Sequence, residues 1–179
     1  MIFCFLKILN YFITFSILMT ISFAQISSTE DQRPNDTKPT IVSLNQNDAI
    51  SGIEHTSDEN PGDIHIAESG VYIVIAAPQI GRTHGSEPRY VDIWLRKNGD
   101  DIPHSNVRLV VRTKEDKSVI VNQTMMPFNR DDIINIMMSV EVADEGLGLE
   151  TIRPKGEPVI PSIIFSMLKI KESGSLTSD

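Results

Sequence analysis

The feature that most constrains the fold of this chain is a segment near its centre in which one of the two faces of a strand would be wholly apolar from Ile134 to Val140. Within residues 132–140, every second side chain is aliphatic or a methionine, namely Ile134, Ile136, Met138 and Val140. A period of two puts these side chains on one face of a β-strand and leaves a mixed face between them. The polar residues 129–131 just before it are typical of a turn. The centre of the chain is therefore predicted to be antiparallel sheet with one face against a second sheet.

Comparable strand patterns recur at fairly regular spacing on both sides of this segment. The predicted strands cover residues 63–80, 89–97, 107–112, 119–128 and 163–170. Asn98-Gly99, between two of them, is the strongest short-range hairpin signal in the chain. About seven to nine short strands without a helical pattern indicate an all-β protein. The predicted architecture is a two-sheet antiparallel sandwich of the jelly-roll type.

One predicted strand contains a run of consecutive apolar residues at positions 71–77. Such a run is typical of a strand that is covered on both of its faces. In a sandwich the first cover is the opposite sheet. The second cover must come from a further sheet, a loop or another subunit.

The first 24 residues have the features of a secretory signal peptide. Lys7 is followed by an uncharged, mostly apolar run that ends in small residues, which predicts cleavage after Ala24. A retained membrane anchor is the alternative, because the run is about long enough to cross a bilayer. With cleavage, the protein is secreted or periplasmic (extracytoplasmic), and no membrane insertion is expected of the mature chain.

The remaining chain is predicted to hold one domain. Residues 25–48 are rich in Ser, Thr, Asn and Asp and predict a flexible polar spacer. The jelly-roll domain covers residues 49–171, and residues 172–179 are predicted to form a disordered tail. The single cysteine, Cys4, lies in the signal peptide, so the mature domain has no disulfide to stabilise it.

The charge of the chain argues against a nucleic-acid partner. It has 16 Lys and Arg residues against 24 Asp and Glu residues, a formal net charge of −8. An acidic surface repels phosphate backbones and anionic lipid headgroups. We therefore expect neither nucleic acid nor an anionic membrane as a partner.

Tyr90 and Trp94 are the candidate ligand-binding residues. They lie four positions apart on the same face of the strand predicted for residues 89–97. An exposed aromatic pair of this kind can serve as a platform for sugars. Packing in the core or at a subunit contact is the competing interpretation.

Paired carboxylates are the candidate metal ligands. Asp131 and Asp132 can bind Ca²⁺ through their oxygens, whereas turn formation is the other interpretation, since Asp bonds to nearby backbone in turns. Asp144-Glu145 is open to the same two interpretations. No other cofactor is expected. The four histidines, which are His55, His65, His84 and His104, do not have metal-ligand spacing.

Nucleophilic catalysis finds no support in the sequence. No serine lies in a nucleophile-elbow motif, and the mature chain has no cysteine. No catalytic residue is assigned, and the protein is not predicted to be an enzyme.

Two Asn-x-Thr patterns are acceptor sequences for N-linked glycans. They begin at Asn35 and at Asn122, and they matter only in a eukaryotic secretory pathway. The second lies in a predicted strand, where a glycan fits poorly.

Four motifs in a fixed order resemble the tumour-necrosis-factor-like and complement C-one-q-like globular heads. They are a Gly-x-Tyr strand start within 68–72, a Lys-Asn-Gly hairpin within 94–99, a turn leading into a strand at 126–134, and a closing strand that begins at 161–166. The resemblance spans residues 63–171. It implies a ten-stranded jelly roll that packs as a homotrimer. It also implies core or subunit-interface positions for Val71, Tyr72, Ile73, Val74, Ile75, Phe128 and Phe165.

The favoured interpretation is an exported, non-enzymatic jelly-roll protein that is homotrimeric and recognises an extracellular or surface ligand. The long loop at 143–157 is the expected recognition surface, because loops on a rigid sandwich carry function. The alternative is a carbohydrate-binding module or secreted glycan-active protein that uses Tyr90 and Trp94. A hydrolase that uses the paired acids ranks last.

Overall fold

The computed structural model of this protein describes residues 21–172. Within that range it contains fourteen strands and no helix. The described residues therefore include no helix that is long and apolar enough to cross a membrane. Most of the predicted signal peptide and nearly all of the predicted tail lie outside the described residues. The all-β prediction is confirmed for the part of the chain that the structure describes.

Seven strands, numbered in chain order, form sheet 1. They are β1 (Phe23–Ser28), β3 (Gln46–Ser51), β6 (Gly70–Gly81), β10 (Ser118–Val119), β11 (Asn122–Phe128), β13 (Gly148–Leu149) and β14 (Ile163–Glu172). The strand order is β3-β1-β14-β6, and β6 continues the sheet by pairing with β10, β11 and β13. Every pairing in this sheet is antiparallel.

The other seven strands form sheet 2. They are β2 (Thr40–Ile41), β4 (Ile53–His55), β5 (Ile64–Ile66), β7 (Arg89–Lys97), β8 (Asp100–Asp101), β9 (Val107–Val111) and β12 (Ile133–Val140). Strand β12 pairs with β7, β5 and β2, and β7 pairs with β8 and β9. The predicted two-sheet antiparallel sandwich is therefore the observed architecture.

The hydrophobic core lies between the two sheets and is built from alternate residues of their central strands. In sheet 2, Ile136 lies opposite Leu95 and Met138 opposite Ile93, and all four side chains are buried. In sheet 1 the core side chains include Tyr72, Val74 and Phe165. Alternation along each strand thus decides which half of its side chains enters the core.

The Asn98-Gly99 hairpin forms as predicted between β7 and β8. Asn98 has a φ of 53° and Gly99 a φ of 90°, both in the left-handed region that a tight two-residue hairpin requires. Glycine has no Cβ and adopts this region without strain, and asparagine tolerates it better than most residues.

The segment predicted to be a flexible spacer, residues 25–48, is instead part of the sandwich. Strand β1 pairs with both β14 and β3, and Ile26, Val42 and Leu44 are buried in the core. The prediction missed these elements because each contributes only one or two apolar side chains. The backbone polar groups of this segment form hydrogen bonds with neighbouring parts of the sheet; for example, Ser28 O accepts from Ser162 N at 2.8 Å. The domain therefore begins well before residue 49.

Candidate functional site

The outward face of sheet 1 carries a continuous apolar surface. The pairing registers place Met125, Ile73, Leu168 and Phe23 side by side across β11, β6, β14 and β1. Three of these side chains are substantially exposed, with Met125 at 62%, Leu168 at 42% and Phe23 at 37%. We call this surface the sheet 1 outer face; it also contains Val71, Ile75, Ala77 and Ile164.

The run at 71–77 is covered on one side only within the chain. Tyr72, Val74 and Ala76 point into the core, whereas Val71, Ile73 and Ile75 point outward and are half-buried. The expected second cover is therefore not supplied by any of residues 21–172. Of the other core or interface candidates, Phe128 and Phe165 are buried, and Phe128 packs edge-on against Tyr72 with ring centroids 5.9 Å apart.

The outward face of sheet 2 has the opposite character. Arg108 donates two hydrogen bonds to Asp92, both at 2.7 Å, and Arg96 donates to Asp101 at 2.9 Å. The bidentate pair with Asp92 raises the pKa of the Arg108 guanidinium above its ordinary value. Ion pairs suit a face that contacts water, so the two outer faces differ sharply in polarity.

Tyr90 and Trp94 do not form a shared open platform on that face. The guanidinium of Arg108 covers the Tyr90 ring, with its Cζ 3.7 Å from the ring centroid. Trp94 is only 9% exposed, and its Nε1 donates to Asp101 Oδ1 at 2.8 Å. That bond lowers the pKa of the Asp101 carboxyl, and the bonds from Arg96 act in the same direction.

A shallow pocket of about 300 Å³ nevertheless adjoins Trp94. Its lining is mostly polar and comprises Asp92, Asp101, Ile102, His104, Asn106 and Ser139 beside the tryptophan. Tyr90 is not part of it. The structure therefore separates the two aromatic residues that the sequence paired.

Asp131 and Asp132 lie in a turn and have different environments. Asp132 accepts hydrogen bonds from Asn98 Nδ2, from Asn129 N and from Lys97 Nζ, each at 2.7 Å. Asp131 is exposed with a φ of 69°, and its backbone N donates to Ile66 O. Both oxygens of Asp132 are thus engaged in holding the turn.

The pKa of Asp132 reflects these contacts. Burial alone would raise the pKa of its carboxyl, but the bonds from Lys97, Asn129 and Asn98 outweigh that effect and hold it below the ordinary value. Among residues 21–172 no group of three or more His, Cys, Asp or Glu side chains is placed to hold a metal ion. The geometry at Asp131 and Asp132 supports the turn interpretation.

Glu145, the other sequence-predicted acid beside Asp144, joins a buried ion-pair cluster that the sequence did not reveal. Arg82 has a side chain that is 0% exposed, with its Nη1 3.3 Å from Glu145 Oε2. The same Nη1 donates to the carbonyl of Glu87 at 2.6 Å, and Arg89 Nε donates to Glu145 Oε1 at 3.3 Å. This cluster joins the loop after β6 to the loop after β12.

The predicted recognition loop at 143–157 is anchored in its first half. Leu147, Gly148 and Leu149 are buried, and the last two pair with β6 as β13. Its second half projects as a small exposed hairpin closed by a bridge between Ile152 and Ile160. A groove of about 460 Å³ runs between this hairpin and the sheet 1 outer face, lined by Arg153, Val159, Ile164 and Gln25 among others.

His55 is the one histidine with a buried ring. Its Nδ1 lies 2.6 Å from Asn47 Oδ1 and its Nε2 lies 3.2 Å from Pro61 O. Burial lowers the pKa of the imidazole, although the Pro61 bond and the charge of Asp63 oppose that shift. These contacts connect β4 to β3. His55 belongs to no group of three or more metal-ligand side chains among residues 21–172.

Comparison with known proteins identifies the fold. No family model and no curated protein matches the chain. Among solved structures, the crystal structure of murine APRIL at pH 8.5 matches with a TM-score of 0.52 and 12% identity, covering 84% of this chain and 99% of that one. The structure of murine APRIL at pH 5.0 matches with the same TM-score and coverage at 11% identity.

At this level of identity the likeness concerns the fold, and it extends over nearly the whole of the matched chain. It agrees with the two-sheet topology described above and with the four sequence motifs. The complement-type part of the resemblance stays a prediction. This chain has the jelly-roll fold of the tumour-necrosis-factor-like globular heads.

Proposed function

We propose that this protein is an exported, non-enzymatic recognition protein that assembles into a homotrimer through the sheet 1 outer face. The observation that carries the proposal is the apolar row formed by Met125, Ile73, Leu168 and Phe23. Soluble monomers rarely expose a contiguous apolar patch of this kind. The occupant is a second and third copy of the same chain, as the tumour-necrosis-factor-like fold implies.

The contrast between the two outer faces supports the choice of surface. Sheet 2 presents the Arg108–Asp92 and Arg96–Asp101 ion pairs to solvent, and these would lose hydration in an interface. Sheet 1 presents aliphatic side chains with neutral polar neighbours such as Gln25 and Ser166, and the charged Lys171 lies at one end of the face, opposite Val71. An apolar centre with a polar rim is the usual composition of a stable interface.

Recognition of a partner is proposed for the exposed hairpin that follows Ile152. Arg153, Lys155, Glu157 and Val159 are exposed there, and the groove beside them borders the sheet 1 outer face. The anchored first half of the loop holds this hairpin in a fixed position. A rigid base with exposed polar and apolar side chains is suited to protein recognition.

A non-enzymatic role is supported by the engagement of the candidate acids. Asp132 holds a turn, and Glu145 neutralises two arginines. The carbohydrate-binding alternative is supported by the pocket beside Trp94, but not by an open aromatic platform. Binding of oligosaccharides that is lost on Asp101→Asn and kept in Leu168→Glu, the variant of the sheet 1 outer face, would favour that alternative.

The test of the proposal is the molar mass of the secreted protein by light scattering after size exclusion. We expect three copies for the unmodified chain and a lower mass for Leu168→Glu, because a charge at the centre of the apolar row opposes its burial. Val110→Glu is the matched control, since Val110 is 41% exposed on sheet 2. A monomeric parent chain, or an unchanged mass for Leu168→Glu, would refute the assembly.

A further inference from the structure

The chain has two Asn-x-Thr patterns, and the fold does not allow the second, at Asn122, to carry an N-linked glycan. Asn122 is 2% exposed, and its Nδ2 donates to the carbonyl oxygens of Ile93, at 3.3 Å, and of Ser105. An N-linked sugar is attached through this same nitrogen. A glycan on Asn122 would replace one of the two Nδ2 hydrogens that make these bonds, and it would require space that the packed interior does not have.

The first pattern has the opposite environment. Residues 35–39 are all exposed in the connection between β1 and β2. None of residues 21–172 provides a hydrogen-bond partner for the Asn35 side chain. Asp36 Oδ1 accepts from Lys38 N at 2.9 Å, so a local turn presents both Asn35 and Thr37 to solvent.

The position of this turn is fixed by the residues on either side of it. Arg33 contacts the carbonyl of Gly146 and pairs with Glu150 at 3.1 Å. On the other side, Thr40 pairs with Met138 as part of β2. A group carried by Asn35 would therefore leave the protein from one defined place.

We propose that Asn35 is the acceptor of an N-linked glycan and that Asn122 carries none in the folded protein. The inference rests on the proposed export, because only an exported chain meets the transferase. The recess beside Asn35 is lined by residues 32–35 and by Thr40, Ile41, Ser43 and Met138, none of which belongs to the sheet 1 outer face. The glycan therefore leaves the proposed assembly surface uncovered.

The test is expression of the full chain in a eukaryotic secretory host, followed by intact mass before and after peptide-N-glycosidase treatment. We expect the loss of one glycan from the parent chain and from Thr124→Ala. Thr37→Ala, which destroys the first pattern without touching Asn35, is expected to show no loss. A parent chain without a glycan, or a glycan that persists in Thr37→Ala, would overturn the proposal.

A reporter variant distinguishes failure of this inference from failure of export. His84 is exposed and precedes Gly85 and Ser86, so His84→Asn completes a new acceptor pattern on a different loop. If His84→Asn is modified while Asn35 is not, export is correct and the assignment of Asn35 is wrong. If neither is modified, both the export and the glycan proposals fail. Light scattering of the glycosylated chain is expected to give the same number of copies as the enzymatically deglycosylated chain.

Discussion

Asn98 and Asp132 lock the β7–β8 hairpin to the turn that precedes β12. Asn98 Nδ2 donates to Asp132 Oδ1 at 2.7 Å, and Asn98 Oδ1 accepts from the backbone N of Ile133 at 2.8 Å. The second oxygen of Asp132 accepts from Asn129 N and from Lys97. Two reversals that are far apart in sequence thereby form one unit at this end of sheet 2.

Replacing the carboxylate at this junction is expected to lower stability. Asp132→Asn removes the negative charge that Lys97 contacts and replaces one of the two acceptor oxygens. The Asp132 side chain is largely buried, so water cannot readily replace these contacts. Charge-assisted hydrogen bonds of this type contribute about 1.5–3 kcal/mol to the free energy of unfolding. Urea unfolding followed by circular dichroism measures the change.

The control for this substitution is its neighbour. Asp131 is exposed in the left-handed region, which asparagine also tolerates, so Asp131→Asn is expected to change stability by less than about 0.5 kcal/mol. Equal losses from the two variants would show that the hydrogen bonds of Asp132 do not hold the turn.

The same contacts predict a dependence of stability on acid pH. The folded state depresses the pKa of Asp132, so the unfolded chain takes up a proton on this residue at a higher pH than the folded protein does. The stabilising contribution is complete above the ordinary aspartate pKa and is lost as the pH falls through the folded value. Thermal melts between pH 7 and pH 3 are expected to show a steeper decline for the parent chain than for Asp132→Asn. Parallel declines would contradict this assignment.

The sequence predicted the strands in which apolar and polar side chains alternate. It missed strands that form only because neighbouring strands pair with them. Strands β7 and β12 and the Asn98-Gly99 turn follow from local pattern alone. Strand β1 was missed because Phe23 and Ala24 were assigned to the end of the signal peptide and residues 25–28 include only one apolar side chain, Ile26. Pairing with β14 and β3 is what makes this segment a strand.

The prediction of site residues was limited in the same way, because contacts between separate strands and loops are not visible in the local sequence. Alternation correctly placed Tyr90 and Trp94 on one face, but Arg108, on another strand, covers the Tyr90 ring. The apolar run at 71–77 did show that β6 needs a second cover, because that property belongs to a single strand. Arg82 and Glu145 lie on separate loops, and nothing in the local sequence of either indicates a buried partner.

Breaking the Arg82–Glu145 pair is expected to be among the most destabilising changes outside the core. Glu145→Gln leaves the fully buried Arg82 guanidinium without its anionic partner, and removal of one member of a buried pair costs about 3 kcal/mol or more. The exposed neighbour provides the control, since Asp144→Asn is expected to unfold at the same urea concentration as the parent chain. If Glu145→Gln also unfolds there, the cluster does not stabilise the fold.

The residues at the start of β1 make contacts that the predicted cleavage after Ala24 would remove. Ser22 and Ala24 are buried, Ser22 O accepts from Lys169 N at 2.8 Å, and Ser22 Oγ donates to Glu68 at 2.8 Å. Cleavage after Ala24 would remove these contacts and also Phe23 from the sheet 1 outer face. A chain that begins at Gln25 is therefore expected to melt several degrees below one that begins at Ile21, because each lost kcal/mol shifts the midpoint by about 2–4 °C in a domain of this size. The comparison requires thermal melts of both chains and mass determination of the N-terminus after secretion. Equal midpoints, with Gln25 as the secreted N-terminus, would show that the first half of β1 is dispensable and that the predicted cleavage point is correct.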